Sequence, residues 1–359
     1  MNPLETLSEQ GVSIWLDDLS RDRINSGSLA ALIDDSHVVG VTTNPSIFSN
    51  AVNSSDIYTE QIQELRSKGF TTSEIVTELT TQDVANACDL FMGVYHHTHG
   101  VDGRVSIEVE PDLAYDTGRT IDRGLALWEK VNRPNLLIKV PATIEGLPAI
   151  EELTARGVSV NVTLIFSPER YREVLDAYMR GLERRQGSGK DLSSIHSVAS
   201  FFVSRIDTAI DSLLPSDSSL RGRMAIANAR LAYEIFLQAI STLRWQKLAA
   251  GGANMQRPLW ASTGVKDKNY DPTRYVVELI APHCVNTMPE GTLNAVRNQG
   301  IITGNTITSH LDESRECFDA LAKSGVNFSH IVSSLEDDGV KKFADAWNEL
   351  LTKVESNHA

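Results

Sequence analysis

Leu136-Leu137-Ile138-Lys139-Val140-Pro141-Ala142-Thr143 decides how the rest of the chain is read. It is a short apolar run, and short apolar runs with branched side chains favour a covered strand. A side-chain period of two puts Leu136, Ile138 and Val140 on one face and Lys139 on the other. Before it, Thr117 to Val131 has helical spacing. Before that, Val105-Ser106-Ile107-Glu108-Val109-Glu110 alternates again, with Val105, Ile107 and Val109 opposite Ser106, Glu108 and Glu110. Strand, helix and strand in this order form a unit of parallel sheet.

The same unit recurs in both directions. Strand-like runs fall at Ser13 to Leu19, Val38 to Ser46, Arg104 to Pro111, Leu136 to Thr143, Val158 to Phe166, His196 to Ser204, Pro258 to Thr263 and Val285 to Pro289. Periodic helical segments include Pro168 to Arg185, Leu220 to Arg244 and Pro272 to Ala281, while Asp312 to Lys323 and Asp338 to Glu355 follow the last strand. Ser167-Pro168-Glu169 supplies an N-cap, a first-turn proline and an acid. Eight alternations favour an α/β fold of the (β/α)8 TIM-barrel type, with additional helices, over a doubly wound sheet. The expectation is a single barrel domain over residues 1–359 with a C-terminal helical extension, since no loop is long enough for an interdomain linker.

Composition narrows the partners. The 359 residues are 41% hydrophobic and 22% charged, which is ordinary globular usage, and the net charge is -14. Such an acidic chain is poorly suited to a broad nucleic-acid or anionic-membrane surface, although one cationic pocket can still hold a small anion. Its three cysteines, Cys88, Cys284 and Cys317, are too sparse for a disulfide framework and suit a reducing cytoplasm. The first residues lack the pattern of a signal peptide, and no stretch of membrane-spanning length is apolar throughout. Monomer and homodimer both stay open.

Polar groups recur on the inward faces. Lys139 joins Glu108 there; Ser159, Asn161 and Thr163 share one face of their strand, and Thr42 aligns with Asn44. Asp17 follows Ile14-Trp15-Leu16. Burial favours a neutral lysine amine, the form that attacks a carbonyl, so Lys139 reads as a Schiff-base nucleophile. A lysine paired with an inward acid, or one fixing a phosphate, fits that strand as well. Ser200 and Arg205 close the sixth strand, and Ser262 with Lys266 closes the seventh. Later strands often carry barrel phosphate sites, although Arg205 also reads as a salt-bridge partner at a helix start.

Other signals carry less. His96-His97-Thr98-His99 has no metal-ligand spacing and sits at a helix end, so no metal is expected. Gly187-Ser188-Gly189-Lys190 lacks the first glycine and the final hydroxyl of a phosphate loop and reads as a polar turn. Neither a dinucleotide fingerprint nor a hydrolase elbow is present. Trp128, Trp245 and Trp347 read as helix packing; Trp15 and Trp260, two residues before Asp17 and Ser262, are expected to line the barrel.

Trp15-Leu16-Asp17, Thr42-Thr43-Asn44-Pro45-Ser46, Val105 to Val109, Leu137 to Thr143 and Asn161 to Leu164, taken in this order, resemble the transaldolases, specifically the bacterial subgroup with tryptophan in the first strand. The resemblance covers most of the chain. It implies a (β/α)8 enzyme of the pentose phosphate pathway without cofactor or metal. Such an enzyme moves a dihydroxyacetone unit from sedoheptulose 7-phosphate to glyceraldehyde 3-phosphate, giving erythrose 4-phosphate and fructose 6-phosphate. By the same resemblance Lys139 is the Schiff-base lysine, Asp17 the general acid/base, and Glu108 with Thr163 the holder of a catalytic water. Asn44, Asn161 and Ser200, with Thr42 beside them, bind the dihydroxyacetone hydroxyls; Arg205 and Ser262 bind phosphate.

One position departs from the pattern: where many transaldolases have a second arginine after the seventh-strand serine, this chain reads Thr263-Gly264-Val265-Lys266. Lys266 is then the substitute cation, without arginine's two-pronged geometry. Two other activities are open to a barrel of this kind. A fructose 6-phosphate aldolase tends to have glutamine for Glu108 and tyrosine for Phe202, so these residues favour transfer. A barrel that only binds sugar phosphates has no need of an inward lysine beside two acids.

Overall fold

A computed structural model describes residues 2–356. Its eight strands are β1 (Ser13–Leu16), β2 (Val38–Val41), β3 (Arg104–Glu108), β4 (Leu136–Pro141), β5 (Val160–Ile165), β6 (Ser197–Phe202), β7 (Gln256–Ala261) and β8 (Val285–Met288). They pair in parallel in chain order, and β8 returns to β1 to close the barrel. Residues along β4, β5, β6 and β7 are buried throughout, as expected for parallel strands with helices outside and packed side chains inside.

Most strands are shorter than their sequence runs because polar residues at their C-terminal ends start the next element. Asn44 ends the β2 run by capping the helix Pro45–Ser54, its Oδ1 accepting the Ile47 amide at 3.0 Å. Glu110 does not face inward with Glu108. Beyond the end of β3 the strand period lapses, and the Glu110 carboxylate pairs with Arg123 at 2.5 Å. The Pro272 to Ala281 segment is largely turn, with helix only at Arg274–Val277, and Leu220 to Arg244 resolves into Met224–Ser241 followed by Leu243–Ala250.

The two strand tryptophans differ. Trp15 faces the interior, where Nε1 donates to Asp102 Oδ1 at 3.1 Å. Its ring crosses Gly40 of β2 so closely that a Cβ there would lie 2.6 Å away, which explains a glycine in the strand. Trp260 points outward, donating to the Leu279 carbonyl and packing edge-on against Phe201. The expectation that it lines the barrel failed because Ser262, with φ 54°, adopts left-handed backbone after the strand, so its side chain no longer shares a face with Trp260.

The final helix, Phe328–Ser356, begins well before the expected Asp338 and buries Ile331, Leu335, Gly339, Phe343, Ala346 and Leu350 at helical spacing. It packs on Pro45–Ser54 and crosses β5 at the C-terminal end of the barrel. A Cβ at Gly339 would come within 2.8 Å of Leu164 Cδ2, so glycine lets the helix seat here without displacing that side chain.

Candidate active site

Strand register assembles the centre. Glu108 of β3 lies opposite Lys139 of β4, and Lys139 lies opposite Asn161 of β5, so three neighbouring strands present polar side chains at one level. Lys139 is 5% exposed. Its Nζ donates to the Thr43 carbonyl at 2.6 Å and stands 3.5 Å from Glu108 Oε2. That second contact is long for an ion pair between buried groups, where a closer approach would gain strongly. The amine is held, but not locked against the carboxylate.

Asp17 follows β1, tied by Thr42 Oγ1, which donates to its Oδ1 at 2.7 Å. Thr42 Oγ1 also lies 2.6 Å from Thr287 Oγ1. A threonine hydroxyl has one proton, so with that proton on Asp17 it accepts from Thr287. Asn161 is held by Ser106, which accepts from Nδ2 at 3.0 Å, and by Ser200, which donates to Oδ1 at 2.6 Å. Thr163 Oγ1 is buried without a hydrogen-bond partner among the described residues, while its proximity helps stabilise the charged form of Glu108.

Burial raises the pKa of both acids. For Asp17 desolvation outweighs the attraction of Lys139 and the hydrogen bond from Thr42; for Glu108 it outweighs Lys139. Arg205, in the helix Ser204–Asp211, moves the other way: burial lowers its pKa against the pull of Asp338, Asp17 and Glu108. Its guanidinium lies over the Phe202 ring at 5.1 Å, and Nη1 is buried without a partner among the described residues. Ser262 Oγ is 3.0 Å from Ser204 Oγ beside it.

A cavity of about 130 Å³ opens over Lys139, walled by Asp17, Thr42, Asn44, Ser200 and Phe202 on one side and by Arg205, Ser262 and the exposed Lys266 on the other. Glu108, Asn161 and Thr163 stand outside this wall; Glu108 reaches the cavity through Lys139, and Asn161 through Ser200. The wall also holds Thr287 and Phe343, which the sequence reading does not single out. Thr287 was legible, because it is a hydroxyl on the short strand β8, where the alternation applied to the other strands also holds. Phe343, whose ring centroid is 5.9 Å from Lys139 Nζ, was not, since its helical spacing is that of any core residue.

This arrangement, a buried amine near two acids with a guanidinium at the rim whose Nη1 has no hydrogen-bond partner among the described residues, agrees with the comparisons. A family model described as Transaldolase/Fructose-6-phosphate aldolase matches residues 14–354. The chain belongs to that family. Curated proteins named transaldolase from Thermobifida fusca, Saccharopolyspora erythraea and Mycolicibacterium smegmatis are 53%, 54% and 55% identical to it, each alignment covering 98% of this chain and 96–97% of the relative. Like them, this family member is an aldolase-type transferase acting on sugar phosphates. Among the described residues no helix is long and apolar enough to cross a membrane. His96 and His97 end the helix Thr72–His97, and no group of three potential ligand side chains converges on a metal-sized site among the described residues.

Proposed function

We propose that transaldolase chemistry runs here through Lys139. The neutral amine adds to the ketone carbon of a ketose phosphate, the carbonyl oxygen leaves as water, and a protonated imine results. Asp17 then takes the proton of the hydroxyl two carbons away, the intervening carbon–carbon bond breaks, and its electron pair enters the imine as an enamine. The shortened aldose leaves. An incoming aldehyde reverses these steps, Asp17 returns the proton, and water releases the new ketose. With sedoheptulose 7-phosphate and glyceraldehyde 3-phosphate the products are erythrose 4-phosphate and fructose 6-phosphate, a step of the pentose phosphate pathway.

The observation that carries this reading is the position of Lys139 Nζ: inward, buried, 2.6 Å from a backbone carbonyl and 3.5 Å from Glu108. A raised carboxylate pKa suits Asp17 to proton transfer near neutrality. Glu108 and the free Thr163 hydroxyl relay protons through water during imine formation and hydrolysis. Thr42, Asn44, Asn161 and Ser200 hold the dihydroxyacetone part; Arg205, Ser262 and Lys266 take the phosphate, with Phe202 and Phe343 restricting water. Because Phe343 comes from the last helix, the barrel and its C-terminal extension act as one unit. Three buried free cysteines fit a cytoplasmic enzyme.

Borohydride reduction with fructose 6-phosphate, then mass spectrometry, tests the proposal: the adduct belongs on Lys139, and folded protein without it rules the reading out. Product assay with and without an aldehyde acceptor separates transfer from simple cleavage.

A further inference from the structure

At the end of the barrel opposite Lys139 lies a second chamber of about 320 Å³. It opens among the N-terminal ends of β3, β4, β6 and β7, where strand residues ordinarily serve stability. Two guanidiniums, Arg104 and Arg257, stand in its wall at 1% and 7% exposure, and no carboxylate does. Arg104 donates to the carbonyls of Gly100 and Pro134, lies over the Tyr95 ring at 5.1 Å, and among the described residues has no acid as a hydrogen-bond partner. Arg257 bonds Asp102 Oδ1 at 2.8 Å, Ser13 Oγ at 2.8 Å and the Val101 carbonyl at 2.9 Å. Two buried cations therefore stand near one acid, Asp102, which bonds Arg257, Ser13 and Trp15 but not Arg104.

Two histidines in the same wall report this surplus. Burial, Arg104 and Arg257 push His196 down to about 3, and burial with Arg257 lowers His283. Both stay neutral and add hydrogen-bonding edges without adding charge. The remaining wall is mostly apolar, including Leu137, Val198, Trp245 and Met255. Tying the Gly100–Asp102 turn to Ser13 and Pro134 accounts for the bonds the arginines make, but neither for the cavity nor for a buried cation without a carboxylate partner of its own in a chain of net charge -14. The volume lies within the range of small-molecule sites, about 300–1,000 Å³, and an apolar hollow with a few convergent polar groups is their usual form.

We propose that this chamber binds a small organic monoanion, a carboxylate on a flat or branched apolar body, with the carboxylate toward Arg104 and Arg257 and the body against Trp245 and Met255. One negative charge balances the single surplus positive one, whereas a phosphate dianion overshoots it, and the apolar walls disfavour a polyhydroxylated sugar. The site is separate from the substrate cavity: Arg104 lies four residues before Glu108 on β3, about 13 Å along the strand.

The probe is 4-bromobenzoate, soaked into crystals of the whole chain and located by bromine anomalous scattering. One peak inside the chamber is expected, and inorganic phosphate at matched ionic strength leaves it in place. No peak there, or displacement by phosphate, overturns the assignment. In solution benzoate raises the melting temperature of the natural protein but not of Ala253→Phe, which fills the chamber while keeping both arginines. Transaldolase turnover of that variant stays within about twofold of normal. An equal benzoate shift in Ala253→Phe defeats the proposal, as does one in folded Arg257→Met. The outcome is independent of the chemistry assigned to Lys139.

Discussion

Both ends of the barrel bury charge, but in different ways. At the N-terminal end Arg257 and Asp102 meet at 2.8 Å, with Trp15 also donating to Oδ1 of the acid and Ser13 to its Oδ2. At the C-terminal end Lys139 stands 3.5 Å from Glu108, while Thr163 Oγ1 and Arg205 Nη1 have no partners among the described residues. A tightly bonded buried pair resists change. A loose one leaves hydrogen-bonding capacity for substrate and keeps protons mobile, and it costs stability because desolvation is incompletely offset. The contrast supports the proposal that the mouth is the reactive end.

The largest effect expected is at the mouth and on rate alone. Lys139→Ala lowers transaldolase turnover by about 10⁴-fold or more while circular dichroism and the melting curve keep their native form. Residual activity near the natural level would erase the distinction between the two ends. Asp102→Ala, at the other end, strands Arg257 and costs about 3–5 kcal/mol of stability in urea unfolding. The folded fraction retains its kcat. A specific activity that fell with Lys139-like severity would show that the lower network also serves catalysis.

Arg205→Ala removes a charged anion ligand, worth about 1.5–3 kcal/mol, so KM for phosphorylated substrates rises roughly 10- to 100-fold while that for unphosphorylated fructose changes little. Equal effects on both would place the phosphate elsewhere. The smallest effect is on stability. Asp17 binds a proton more readily in the folded than in the unfolded chain, so its contribution to stability falls as pH rises above the unfolded value near 3.8. Asp17→Asn therefore inactivates the enzyme yet stabilises it by about 1 kcal/mol at pH 7, a gain that fades below about pH 4. A loss of stability at pH 7 would mean that Asp17 is held as tightly as Asp102.

Much of this was legible without coordinates. Period-two alternation aimed Lys139, Glu108, Asn161 and Thr163 inward because a side chain on a regular strand has only two directions to take. Alternation failed where strands end: Glu110 turned out to Arg123, and the left-handed backbone at Ser262 separated its direction from that of Trp260. The two arginines of the lower chamber drew no notice in the sequence, since Arg104 and Arg257 lie 153 positions apart, at the first and second positions of their strands.

Local pattern, with its fixed periods of two and 3.6, determined the eight strands, their succession along the chain, and which face of β3, β4 and β5 carries the central polar groups. Tertiary structure alone decided that the Lys139–Glu108 contact is long and the Arg257–Asp102 contact short, and that Phe343 of the last helix reaches the mouth. Distances across the barrel depend on how β8 closes against β1 and how Gly339 seats on Leu164. No neighbouring residues encode those quantities, because they are set by packing between segments far apart in the chain.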